Sequence, residues 1–97
     1  MSRRATLLVG GASVPCLLQN FSGKGFFIIS NQQFAIGQIL DLKCELYPDR
    51  FLRCRVEVKH ISETCVGTKI MSISEEGRVL LQQFLQEYYS LKLDRSI

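Results

Sequence analysis

In a chain of 97 residues with one histidine, the side chains able to do chemistry are few. The most suggestive group is the hexad Asn20-Phe21-Ser22-Gly23-Lys24-Gly25. An amide and a hydroxyl two positions apart, with two glycines in three residues, offer short polar groups and a backbone that a ligand can approach closely. Lys24 adds a point charge suited to a phosphate. The same residues also read as a plain turn in which Asn20 and Ser22 bond local backbone, and the residues alone leave both readings open. Catalysis has little support: no Ser/His/Asp or Cys/His set assembles around His60, and there is no phosphate-binding P-loop, dinucleotide fingerprint or carboxylate pair. The chain is therefore expected not to be an enzyme. His60 follows Val56 and Val58 in alternation, which puts it on the apolar side as a core or rim histidine. The four cysteines, Cys16, Cys44, Cys54 and Cys65, stand at intervals of 28, 10 and 11 with no Cys-x-x-Cys pair. That spacing does not suit zinc, and each lies in an apolar setting where a reduced thiol behaves as a small hydrophobe. No metal or cofactor is expected.

The elements that must hold the hexad are strands. Leu40, Leu42, Cys44 and Leu46 alternate with Asp41, Lys43 and Glu45, and Leu52, Cys54, Val56 and Val58 alternate with Arg53, Arg55, Glu57 and Lys59. Period two in both runs means two strands with one dry face each. Tyr47-Pro48-Asp49-Arg50-Phe51 between them carries turn chemistry. Folding the hairpin about Asp49 opposes Leu46 to Leu52, Glu45 to Arg53, Cys44 to Cys54 and Leu42 to Val56. Upstream, Ala5 to Val9, Ser13 to Leu18 and Gly25 to Ile29 are short apolar segments; Gly10-Gly11 divides the first two as a tight hairpin. Thr64 to Ile73 supplies one more strand. Five or six short strands with glycine punctuation indicate a small antiparallel barrel or sandwich.

After Ile73 the period changes. Ser72 and Ser74 are both suitable N-caps, Ser72 with Glu75 has capping-box spacing, and Glu75 and Glu76 suit the positive end of a helix. Leu80, Phe84, Tyr88 and Leu91, widened by Leu81 and Leu85, form an apolar stripe over a helix of about residues 75–92. The stripe is expected to cover the sheet; alternatively Phe84, Tyr88 and Tyr89 form a homodimer or partner surface. Residues 1–4 and 94–97 are expected to be loose.

With 46% hydrophobic residues and a net charge of +3, the chain supports a single domain spanning residues 1–97 and permits a small anionic partner. No apolar run approaches the roughly 20 residues that cross a bilayer, so no membrane insertion is expected and the protein reads as cytoplasmic. A single-strand nucleic-acid platform built from Arg53, Arg55, Lys59, Phe26, Phe27 and Phe34 is interrupted by Asp41, Glu45 and Glu57, and nucleic acid is not the expected partner.

Asn20-x-Ser22-x-x-Gly25 fits the Asp/Asn-x-Ser-x-x-Gly motif of the PilZ domain, and the chain resembles that family beyond these six residues. Leu17-Leu18 and Gly25-Phe26-Phe27-Ile28 look like the strands flanking the motif, and Cys65-Val66-Gly67-Thr68-Lys69-Ile70 is similar to the Val-Gly strand that precedes the family's C-terminal helix. The resemblance runs from about Ala5 to Tyr89. It implies a mainly β fold, a six-stranded antiparallel barrel over about residues 5–73 closed by one C-terminal helix. It also implies a bacterial receptor for cyclic di-GMP, a second messenger controlling motility, biofilm or exopolysaccharide. In such a receptor Asn20 hydrogen-bonds a guanine edge, Ser22 donates to base or phosphate, Gly25 gives the ligand clearance and Lys24 attracts phosphate. The family's second element, Arg-x-x-x-Arg, reads guanine edges and stacks on the bases. Arg3 and Arg4 are the arginines available for that role here, but Leu7 and Leu8 stand four residues beyond them and the spacing is not met. The alternative implied is a degenerate adaptor that does not bind cyclic di-GMP and acts by protein–protein interaction.

Overall fold

The computed structural model of the chain describes residues 2–95, with side chains described as far as Tyr88. Six strands, β1 (Ser2–Val9), β2 (Ala12–Gln19), β3 (Gly25–Ile29), β4 (Ile39–Tyr47), β5 (Arg50–Ile61) and β6 (Val66–Ile73), precede one helix, α1 (Glu75–Arg95). The strands close into an antiparallel barrel in the order β1-β2-β3-β6-β5-β4. Closure gives every strand a neighbour on both sides, though not along its full length. The six-stranded barrel with a C-terminal helix expected from the sequence is the observed architecture.

Alternation decides which residues point inward. Leu7, Leu18, Ile28, Leu52, Val56 and Val58 are fully buried, and no polar or charged side chain is buried among the described residues. Gly10 and Gly11 take φ of 57° and 85°, the left-handed values that a two-residue primed turn needs. Pro15 lies inside β2 opposite Thr6, yet β2 pairs with β3 only over Leu17–Gln19. The missing N–H of Pro15 therefore falls where β2 has no second neighbour.

The β4–β5 hairpin exists, but its register differs from the expected one by two residues. Cys44 pairs with Leu52, Leu42 with Cys54 and Leu40 with Val56. The turn is tighter than symmetry about Asp49 suggested: Tyr47 pairs directly with Arg50, Asp49 takes a left-handed φ of 61°, and an irregularity between Glu45 and Tyr47 absorbs one residue. A two-residue slip leaves every side chain on its own face, so the apolar pattern fits both registers equally. Cys44 does not oppose Cys54, and all four cysteines are free. Glu45 faces Phe51 rather than Arg53, and the unlike charges that meet are Asp41 and Arg55, 3.0 Å apart. Lys43 opposes Arg53, and its ammonium lies 4.5 Å from the Phe51 ring centroid.

The helix begins where Ser74 Oγ accepts the Gly77 N–H at 3.0 Å. Ser74 is thus the N-cap; Ser72 belongs to β6, so the Ser72–Glu75 capping box does not form. Leu80, Leu81 and Phe84 are buried against the barrel, with Leu85 partly so. Phe84 sits among Phe21, at a ring distance of 5.3 Å, and Tyr47, at 6.1 Å. The inward side of the stripe is satisfied within the chain, where Phe84 is 5% exposed, while Tyr88 is half-buried. Tyr89, Leu91 and the tail expected to be loose lie where the side chains or the residues themselves are outside those described. Residues 2–4 are not loose: they are the first turns of pairing in β1, opposite Leu17–Gln19.

Candidate functional site

The hexad connects β2 to β3 and is held from three directions. Asn20, the first residue after β2, has a φ of 51°, a conformation that asparagine tolerates better than most residues. Its side chain is exposed. Phe21 turns inward and packs edge-on against Phe26 at 5.3 Å as well as against Phe84, pinning the loop to both barrel and helix. Ser22 ties the loop to itself. Its Oγ accepts the Lys24 and Gly25 N–H groups at 3.1 Å each and donates to the Gly25 carbonyl at 3.2 Å, while its own N–H donates to the same carbonyl at 3.1 Å.

Gly25 is required by the barrel. A Cβ there would overlap the Thr68 carbonyl oxygen and come within 2.9 Å of the Thr68 carbonyl carbon, so β3 and β6 approach too closely for any side chain. The clearance expected for a ligand is occupied at this point by β6 backbone. Next to it the Lys24 carbonyl accepts the Ile70 N–H at 2.7 Å, which fixes Lys24 alongside β6.

The loop borders a cleft of about 390 Å³ on the outer surface of the barrel, lined by Asn20, Ser22, Lys24 and Gly25 from the loop, Phe26 and Phe27 from β3, and residues of β5 and β6. From those two strands come Lys59 and His60, and Gly67, Thr68 and Lys69. Phe27 is 39% exposed, and its ring lies over Gly67, where a Cβ would meet Phe27 Cε1 at 3.1 Å. A second cleft of about 250 Å³ adjoins the first: Lys24 and Lys69 line both, and Arg78, Leu81 and Gln82 of α1 close it on the far side. Neither lining includes a carboxylate. Glu57 lies cross-strand from Lys69 and holds Lys59 in a 3.0 Å ion pair.

His60 is exposed, contrary to the alternation that put it inside. The ladder shifts between the pairs Val58–Thr68 and His60–Gly67, leaving Lys59 as an extra residue. A bulge of this kind reverses the phase of the strand beyond it, and here it brings Lys59 and His60 together in the cleft. Of the remaining site residues, the sequence pattern gives Lys69 and Arg78 no role, puts His60 inside and gives Phe27 and Lys59 a role only in the disfavoured nucleic-acid platform; a bulge and the barrel closure bring them beside the loop, and neither has a local signature.

Arg3 and Arg4 line neither cleft. Both are strand residues of β1; the Arg3 guanidinium lies 5.3 Å from the centroid of the Phe84 ring, and Arg4 is exposed opposite Leu17. The structure thus brings together Asn20, Ser22, Lys24 and Gly25 and leaves the two arginines apart from them. The cysteines are also elsewhere. Burial pushes the Cys16 and Cys44 thiols up to about 11 and Cys54 to about 12, the state of inert core thiols. Among the described residues no cluster of three or more His, Cys, Asp or Glu is suited to a metal ion, and no helix is long and apolar enough to cross a membrane.

A comparison with curated proteins gave no match. The family model for the PilZ domain does match, over residues 1–87, a stretch that takes in all six strands, the Asn20–Gly25 loop and more than half of α1. PilZ is a family of binding domains. Since the match covers most of the 97 residues, the chain belongs to the PilZ domain family.

Proposed function

We propose that the protein is a cyclic di-GMP receptor module whose ligand sits in the cleft beside the Asn20–Gly25 loop. The observation that carries this reading is the meeting of the family motif with a carboxylate-free cleft in which cations and an exposed aromatic ring face the same space. A cyclic dinucleotide carries two phosphates and two flat bases. Lysines attract the first, and a base can stack on the face of Phe27 at about 1–3 kcal/mol. The Asn20 carboxamide supplies a donor and an acceptor for a guanine edge. Ser22 acts through the loop: with its hydroxyl already bonded to three backbone groups, it holds Asn20 and Lys24 in place. The effector role, in bacterial control of motility, biofilm or exopolysaccharide, belongs to the same proposal.

The second reading, a ligand-silent adaptor that works by protein–protein interaction, draws on the engagement of Arg3 with Phe84 and the absence of Arg4 from the cleft. Calorimetric titration with cyclic di-GMP separates the two. Binding that Asn20→Gly weakens tenfold or more, at unchanged melting temperature, supports the receptor. Glycine is the informative substitution because it keeps the left-handed backbone while deleting the amide. No heat and no thermal stabilisation at millimolar ligand would favour the adaptor.

A further inference from the structure

We infer that the phosphates of the ligand are taken by a cationic wall formed by Lys24 and Lys69, flanked by Arg78 of the helix, rather than by Arg3 and Arg4; this rests on the receptor reading above. Three independent features of the structure carry it. The first is geometry: Lys24 and Lys69 are the residues common to both clefts, and the backbone bond from Ile70 N–H to the Lys24 carbonyl, 2.7 Å, holds the loop lysine against the strand that bears Lys69. The second is charge. Neither Lys24 nor Lys69 forms an ion pair among the described residues, and no acidic side chain lines either cleft. Like charges held side by side without a counterion repel, and a fold that maintains such a concavity presents a field suited to an anion. The neighbouring carboxylate, Glu57, stands cross-strand from Lys69 but bonds Lys59 at 3.0 Å, so Lys59 brings no free charge and Lys24 and Lys69 are left without a bonded counterion.

The third feature is the helix. Arg78 and Gln82 stand one turn apart and line the second cleft together with Lys24 and Lys69. An arginine fork and a carboxamide are groups that grip a phosphate or a purine edge bidentately. A dinucleotide reaching across the shared lysines would therefore touch the loop, β6 and α1 at once, and Arg78 would supply from the C-terminal side the planar cation that Arg3, stacked on Phe84, does not bring to the cleft. Recognition of this kind rests more on phosphate charge than on guanine edges, so it is salt-sensitive.

The test is titration of the full chain with cyclic di-GMP at two salt concentrations, for the wild type and for Lys69→Gln, Lys69→Arg, Arg78→Gln and, outside both clefts, Arg4→Gln and Arg53→Gln. The inference expects Lys69→Gln and Arg78→Gln each to weaken binding about ten- to a hundredfold, the weight of a charge-assisted contact. It expects Lys69→Gln to flatten the salt dependence, Lys69→Arg to keep most of the affinity and Arg53→Gln to bind within twofold of the wild type. Lys69→Gln should also melt no lower than the wild type, since it relieves repulsion; a merely structural lysine would not behave so. Wild-type binding that survives both Lys69→Gln and Arg78→Gln, or that is abolished instead by Arg4→Gln, overturns the inference and leaves the receptor reading standing. A wild type that does not bind at all overturns both.

Discussion

The motif residues have separate jobs, and the family pattern alone does not distinguish them. Asn20 is exposed and presents an amide, Ser22 is spent on the loop, and Gly25 exists because β6 passes where its Cβ would be. Gly25→Ala should accordingly act on stability first. Forcing a methyl against the Thr68 carbonyl is expected to cost about 3 kcal/mol or more, lowering the melting temperature by roughly 12–24 °C for a domain of this size; a fall of under about 3 °C would show that the strands can part cheaply. The buried thiols give a second check. Folding raises Cys16 and Cys44 to about 11 and Cys54 to about 12 from an ordinary 9.0, chiefly by burial. The folded state thus holds these protons more tightly than the unfolded one. Their contribution is complete below pH 9 and is lost as pH climbs towards 11–12. Melting temperature should fall between pH 8.5 and 10.5, less steeply in Cys54→Val, and an identical slope in that variant would contradict the assignment.

Among the elements, the loop and the helix depend on each other through aromatic rings. Phe84 packs on Phe21 of the loop and on Tyr47 of β4, with the Arg3 guanidinium against the same ring. Phe84→Ala is expected to cost about 3–5 kcal/mol, as loss of a buried aromatic does, and to loosen the motif loop along with α1. Faster amide exchange at Asn20–Lys24 in a destabilised but folded variant would show the coupling; unchanged loop protection would deny it. Ser74→Ala, which removes the cap, should cost about 1 kcal/mol. What the sequence disclosed at this scale follows from which signals are local. The strands, the two-glycine turn and the helix were legible because period two, left-handed glycines and period 3.6 are written in neighbouring residues. The hairpin register was not, because a slip of two residues keeps every apolar side chain inside, and the turn at Pro48-Asp49 decides it.

At the level of the whole molecule, closure of the barrel is what makes the candidate site. It sets β3 beside β6, so that residues more than 40 positions apart in the chain, Gly25 and Lys69, become neighbours. The bulge at Lys59 then turns His60 outward into the same cleft. The motif half of the site was visible as Asn20-x-Ser22-x-x-Gly25, whereas the lysine half was a scatter of surface charges until the strand order joined them. The mild net charge of +3 understates this arrangement, since Lys24, Lys69 and Arg78, none of them in an ion pair among the described residues, gather along two adjoining clefts whose linings hold no carboxylate. Amide chemical-shift mapping of the labelled protein with cyclic di-GMP tests the account most directly. Binding in the proposed cleft predicts saturable shifts clustered at Asn20–Phe27, Lys59–His60 and Gly67–Ile70, extending to Arg78. Shifts confined to the β4–β5 hairpin around Lys43 and Arg53, or none at millimolar ligand, would contradict it.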